Sequence, residues 1–290
     1  MPYRRPSSNP RLAAAAALAA ACLFVGGDVM VKVLVNDYPV VMVAWARMAL
    51  IVALLGISGG ARLGLRLFRP AAWRLQVLRG ASGVVGSTMV FLGLRAMPLA
   101  ECLAVVSIAP VLSNLLSRWW LDEPGDALSW MTALASFAGV LAIVRPGMGV
   151  FSIEALYPLC GAIGVAVFLT ATRAVSSRDD PRVTAFFGPF VSFLVFSVAM
   201  PGNWVTPRSA THLALFAGVG LLGAIAQVVD TLSYRYGTTH EVAPFGYAGI
   251  VMSVAFGWWV FGAVPDMPSL SGMAMIVLAG LAALAGSQRR

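Results

Sequence analysis

Apolar residues along this chain come in long runs separated by short polar connections. Ten runs can be marked, at 12–34, 39–58, 75–94, 98–119, 127–144, 153–175, 183–200, 211–233, 240–261 and 269–286. Most approach the ~20 residues an α-helix needs to cross ~30 Å of hydrocarbon. The pattern therefore predicts an all-α polytopic membrane protein of ten transmembrane helices. The short connections leave little chain for a separate soluble domain.

The runs also repeat. At an offset of 140 residues, Leu94-Arg95 and Glu101 are echoed by Tyr234-Arg235 and Glu241, and Gly80 and Gly83 by Gly220 and Gly223. Ser113, Trp119 and Asp126 fall on Ser253, Trp259 and Asp266. Several identities in order, in matching runs, predict a duplicated five-helix unit, residues 12–144 and then 153–286, with tails at 1–11 and 287–290.

Composition agrees: 59% of residues are hydrophobic, 11% are charged, and mean hydropathy is +0.85. A soluble domain carries about twice that charged fraction. The net charge of +8 is no nucleic-acid signal, because its distribution is topological. With a cytoplasmic N-terminus, fifteen arginines fall inside, many between Arg62 and Arg79, against Arg95, Arg145 and Arg208 outside. Lys32 and Arg47 lie within spans. This asymmetry predicts an inner (plasma) membrane protein with both termini cytoplasmic. Two similar units with an odd number of helices are then oppositely oriented, an inverted repeat about a central cavity. Arg4-Arg5 and Ala19-Ala20-Ala21-Cys22 resemble a cleaved signal, but the apolar run continues to about Leu34, which reads as a first transmembrane helix.

Cys22, Cys102 and Cys160 lie in separate spans without metal-type spacing and read as small buried hydrophobes. His212 and His240 lie near loops. These residues predict no metal, no cofactor and no catalytic centre, since neither a nucleophile with its base nor paired carboxylates occur at compatible depth.

Charge inside hydrocarbon costs several kcal/mol, so each intramembrane ionisable residue needs a partner or a wet cavity. Asp28 and Arg47 lie at similar depth on the first two helices, and Lys32 stands one turn from Asp28. The set is either a packing cluster or a substrate or proton site. A carboxylate held between two cations stays ionised, which favours Arg47 or Lys32 as partner of a substrate carboxylate over proton cycling at Asp28. Glu101 and Glu241 each begin a helix in the ten-span pattern; they read either as helix caps or as paired gates, with Arg95 and Arg235 as partners. Asp230 is expected to pair with Arg173 as a structural contact. Gln227, with Ser87 as its equivalent in the first half, is a cavity candidate, as is Ser82. Gly80, Gly83 and Gly86 predict close helix contact. Pro110, Pro158 and Pro189 predict interrupted helices. Trp73, Trp119, Trp120, Trp204, Trp258 and Trp259 lie near helix ends and read as interfacial belts.

Several motifs together resemble the EamA-type members of the drug/metabolite transporter superfamily. They are Asp28 and Lys32, Arg47, the segment Leu94-Arg95-Ala96-Met97-Pro98-Leu99-Ala100-Glu101, Ala109-Pro110, Trp120-Leu121-Asp122-Glu123-Pro124, and Gly139 to Arg145-Pro146-Gly147. The second half departs from that family at Gly262-Ala263-Val264, where members often repeat the glutamate. The resemblance implies secondary transport of a small molecule through a cavity lined by the first, third, fourth, sixth, eighth and ninth helices. Phe24, Phe91, Phe168, Tyr247 and Phe256 lie deep on those helices and suit a flat or apolar solute. Family members handle amino acids, purines, nucleotide sugars, riboflavin or S-adenosylmethionine. The favoured expectation is outward movement of neutral and aromatic amino acids by alternating access. The alternatives are uptake of riboflavin or S-adenosylmethionine, a channel or sensor, and an intramembrane enzyme. The expected partners are a small-molecule substrate and the lipid bilayer, with no nucleic acid; monomer and homodimer stay open.

Overall fold

The computed structural model describes residues 10–120, 127–144, 156–176, 178–236, 245 and 247–287. In hydrocarbon a chain must satisfy its backbone internally, and a single apolar run does so as a helix. The described residues are accordingly helical almost throughout, with no strand among them. In chain order they form α1 (Pro10–Asp37), α2 (Val40–Leu63), α3 (Trp73–Ala96), α4 (Leu99–Val106), α5 (Ala109–Trp120) and α6 (Ala127–Val144). There follow α7 (Leu156–Ser176), α8 (Pro181–Ala199), α9 (Ala210–Tyr236), α10 (Ala248–Phe261) and α11 (Met267–Ser287). Among the described residues, seven helical stretches are long and apolar enough to cross a membrane, and three shorter ones lie at Trp130–Val144, Ala248–Phe261 and Met267–Ala282. Together they occupy the ten runs marked on the sequence.

The prolines act as local chemistry dictates. Pro110, the second residue of α5, has no N–H to give the carbonyl of Val106. Ser107 closes instead on Leu103 at 3.0 Å and Ile108 on Val105 at 3.3 Å, and the fourth span breaks into α4 and α5. Pro158 was expected to interrupt its helix and does not: it sits in the first turn of α7, where an absent N–H costs no bond. Pro189 lies inside α8, which stays one helix. Gly262, at the departure from the family motif, has φ 63° and ends α10 in a left-handed turn; its N–H reaches Trp258 O at 2.9 Å while that of Ala263 reaches Gly257 O at 3.1 Å.

The bundle packs in pairs that correspond between halves. α3 lies on α7 as α1 lies on α9, α2 on α9 as α8 on α3, and α4–α5 on α7 as α10 on α1. The pairs α2–α8, α6–α11 and α4–α10 each map onto themselves. The glycines follow the same exchange: a Cβ on Gly80 would run into Val191 of α8, and one on Gly220 into Leu50 of α2. Backbones approach closely at two places: a Cβ on Gly272 would lie 2.5 Å from the Gly139 carbonyl oxygen between α6 and α11, and one on Gly164 2.7 Å from the Gly86 nitrogen between α3 and α7. Close backbone contact is the main adhesive between helices when lipid removes the hydrophobic drive.

Bulky apolar side chains face outward, among them Ile57, Leu134, Val198 and Leu278. Trp73, Trp119, Trp204, Trp258 and Trp259 are exposed near helix ends, as interfacial anchors are. Of the cysteines, Cys102 is buried and Cys22 half-buried, but Cys160 is exposed on the outer face of α7 rather than buried.

Candidate functional site

Two polar clusters lie inside the bundle. In the first, Arg47 Nη1 donates to Asp28 Oδ1 at 3.2 Å, joining α1 to α2 with both side chains 16% exposed. The guanidinium carbon lies 5.7 Å from the centroid of the buried Phe91 ring. Gly223 on α9 makes room for it: a Cβ there would be 3.5 Å from Arg47 Nε. No other described residue hydrogen-bonds to either side chain. Phe24 is half-buried one turn from Asp28 on the same face of α1.

Lys32 does not join this pair. Its Nζ donates to Leu94 O and Met97 O, each at 2.7 Å, and lies 5.6 Å from the Phe261 ring centroid. Pro98 ends α3 and leaves its last carbonyls without helical donors, and a cation at that end is further favoured by the helix dipole. The expectation of Lys32 as a partner for a substrate carboxylate thus gives way to a cap on α3.

The second cluster is centred on a residue that charge counting alone assigns to the cytoplasmic edge. Arg79 is buried, 5% exposed, among α3, α7 and α8. Its Nε donates to Thr172 Oγ1 at 2.7 Å, and its Nη1 donates to Gln76 Oε1 and to Thr184 O. The guanidinium stacks 4.4 Å from the Phe168 centroid, and Gly188 leaves the space beside Nη1. Phe168 and Thr172 stand at the repeat positions of Asp28 and Lys32, which on sequence alone have no charged counterparts. The charge is present but comes from a neighbouring helix. The available signal was Arg79 falling inside the apolar run 75–94.

At each end of the bundle, a turn between helices is tied to the start of a helix in the other half. Asp179, between α7 and α8, accepts from the backbone of Ala71 at 2.6 Å and Ala72 at 3.3 Å, and from Gln76 Nε2 at 2.9 Å. It thereby holds the two residues that lead into α3, whose N-cap Ala72 offers no capping side chain. Tyr38, between α1 and α2, meets His212 Nδ1 at 2.8 Å and accepts the Arg208 amide at 2.9 Å. Arg208 and His212 also flank Asp37, at 3.7 Å and 3.9 Å.

The other candidates divide. Ser82 and Ser87 bond carbonyls of their own helix, Arg79 O at 2.9 Å and Gly83 O at 2.7 Å. Tyr247 is half-buried beside Gly280, and Gln227 is half-buried on α9. Glu101 accepts from Ser269 Oγ of α11 at 3.3 Å, while Arg95 is exposed and bonds no described residue. Glu241 and the Arg235 side chain lie outside the described residues. The expected Asp230–Arg173 pair is absent: Arg173 donates to Asn114 Oδ1 at 2.7 Å and Ser117 Oγ at 3.3 Å, on α5. α7 packs on α5, so Arg173 finds neutral acceptors nearer than Asp230.

Residues 11–145 match the EamA-like transporter family. The first half of the chain therefore carries an EamA-like domain. This EamA-like protein is 28% identical over 219 residues to a riboflavin transporter of Vibrio cholerae serotype O1, covering 74% of this chain and 73% of that one. It is 26% identical over 209 residues to the pseudopaline exporter of Pseudomonas aeruginosa, covering 72% and 74%. With an S-adenosylmethionine uptake transporter of Rickettsia prowazekii it shares 25% identity over 207 residues, covering 71% and 70%. A solved crystal structure, 17% identical, has the same fold with a TM-score of 0.62 over 96% of this chain and 98% of that one. The EamA-like protein is a transporter rather than an enzyme.

Proposed function

We propose that this EamA-like transporter moves a small amphipathic metabolite by alternating access, with Asp28 and Arg47 receiving its charged head group. The observation that carries this reading is an intramembrane ion pair joined by one hydrogen bond at 3.2 Å. A zwitterion completes the pair's unused valences, its carboxylate on the free Arg47 N–H groups and its ammonium on Asp28 Oδ2. Phe91 under Arg47 and Phe24 beside Asp28 supply apolar surface for a side chain. Neutral and aromatic amino acids fit this description, and their export is the favoured activity. The correspondence of helix pairs between the halves supports an inverted repeat, and the arginine asymmetry supports an inner-membrane setting with both termini cytoplasmic.

A second reading is cofactor uptake. The relatives named for riboflavin and S-adenosylmethionine favour it, as do the three cation–phenylalanine stacks at Lys32, Arg47 and Arg79. S-adenosylmethionine shares the amino acid head group, whereas riboflavin does not. Counterflow in proteoliposomes, with L-phenylalanine, other neutral amino acids, riboflavin and S-adenosylmethionine as competitors, separates the readings. The amino acid reading is lost if no amino acid competes while a cofactor does. A channel is indicated if preloaded solute never accelerates uptake.

A further inference from the structure

Asp230 carries a charge that no described residue balances. It is the last residue of the apolar stretch Ala210–Asp230, half-buried, and no described side chain or amide bonds its carboxylate. Its one contact of this kind is through its backbone: Ser233 Oγ donates to the Asp230 carbonyl at 2.7 Å. An uncompensated carboxylate in hydrocarbon costs several kcal/mol, whereas a protonated one is buried at far smaller cost.

Its position gives the charge a use. Gly223, Gln227 and Asp230 follow at i, i+4 and i+7, so they share one face of α9. Gly223 is the residue against Arg47 Nε. Asp230 therefore lies on the same face as the ion pair, displaced by ~10 Å along α9. The helices packed on α9 are α1 and α2. Their ionisable groups apart from the ion pair are Lys32 and Asp37 near the far end of α1, the Cys22 thiol in its middle, Arg11 near its start, and Arg62 near the end of α2. Lys32 is held by α3, and Asp37 faces Arg208 and His212. On α9 itself stand His212 at its start and Tyr234, Arg235 and Tyr236 at its end, with Tyr236 packed against Ala13 and Ala17.

We propose that Asp230 is the proton-coupling carboxylate of this transporter, an inference that rests on the transport reading above. It takes a proton from water on the open side, holds it as the neutral acid while the spans close, and returns it to water when α9 is next exposed. One proton is bound and one released per cycle, and no bond other than O–H is made or broken. Asp28 differs from it in having Arg47 as a partner at 3.2 Å. A single carboxylate also offers too few oxygens to coordinate a sodium ion.

Two measurements test this. Dicyclohexylcarbodiimide attacks protonated carboxyls in apolar surroundings and needs no knowledge of the solute. With the full chain in liposomes, peptide mass spectrometry should find Asp230 modified several-fold more at pH 6 than at pH 8, with Asp28 unmodified. No modification of Asp230, or equal modification of Asp28, overturns the proposal whatever the substrate. The second measurement drives uptake of L-phenylalanine, S-adenosylmethionine and riboflavin in turn with a pH gradient. Asp230→Asn should lose gradient-driven accumulation at least tenfold while still exchanging labelled for unlabelled solute. Accumulation by Asp230→Asn equal to wild type overturns the coupling role alone. Absence of exchange by the wild-type protein overturns the transport reading itself.

Discussion

The phenol of Tyr38 lies 2.8 Å from His212 Nδ1, and this contact binds the α1–α2 turn to the start of α9. The Tyr38 oxygen already accepts the Arg208 amide, so its own hydrogen is available to His212 Nδ1. That places the ring hydrogen of neutral His212 on Nε2, toward Asp37. Subtracting the repeat offset carries His212 to Ala72, whose amide is held by Asp179 from the α7–α8 turn. The two halves therefore make the same tie at opposite ends of the chain pattern, once with a phenol and an imidazole and once with a carboxylate and amides.

If these ties close the outer and inner sides of the bundle, breaking each opens one side. In a chain whose three cysteines are replaced by alanine, Tyr38→Phe should speed labelling of Met30→Cys by an impermeant thiol reagent added outside. Asp179→Asn should instead speed labelling of Val191→Cys from inside. Met30 of α1 packs against Gly218 of α9, and Val191 of α8 against Gly80 of α3. Equal responses from both sides would show that the ties fix helices without gating.

Lys32→Met should act on stability more than on transport. It removes two bonds of 2.7 Å to the end of α3 and leaves the carbonyls of Leu94 and Met97 unsatisfied, a loss of about 1–3 kcal/mol. Thermal unfolding in detergent should fall by several degrees while KM changes little in the protein that remains folded. A large rise in KM with unchanged unfolding would return Lys32 to the solute.

Glycine substitutions should separate contact from propensity. In Gly164→Ala the new Cβ meets the backbone of Gly86, which cannot rotate away, so the cost should be about 1–3 kcal/mol. A Cβ on Gly60 meets nothing within 4 Å. Gly60→Ala should be neutral or stabilising by about 0.5–1 kcal/mol, because alanine favours the helix. Unfolding midpoints of the two variants give the comparison.

The helices were legible because hydrocarbon imposes one rule on every span, and long apolar runs can obey it in only one way. The Asp28–Arg47 pair was legible because two opposite charges at similar depth on consecutive helices have few other partners. Lys32 was misplaced because the acceptors it found are backbone carbonyls, which leave no mark in a charge count. Arg79 was missed for a related reason. Its partners Thr172, Thr184, Gln76 and Phe168 are neutral, and they gather only when α3, α7 and α8 pack. The Asp230–Arg173 pairing failed because it assumed contact between helices that favour other neighbours.

The Asp28–Arg47 pair offers the sharpest energetic test of the proposed head-group site. Removing one partner leaves the other charge largely buried, which costs about 3–5 kcal/mol in well-desolvated pairs. Their 16% exposure, and water entering a transport cavity, place the expected loss toward the lower end of that range. Asp28→Ala should therefore destabilise more than the double variant Asp28→Ala with Arg47→Met, which removes both charges. A structural pair would then regain function along with stability in the double variant. A head-group site would not: the double variant should unfold near the wild-type temperature yet lose exchange of zwitterions at least tenfold. Riboflavin exchange, if the chain performs it, should be affected far less, because riboflavin has no zwitterionic head to place between the two residues. Measuring unfolding and counterflow on the same three preparations distinguishes the two roles, and wild-type exchange by the double variant would reject Asp28 and Arg47 as the receptor.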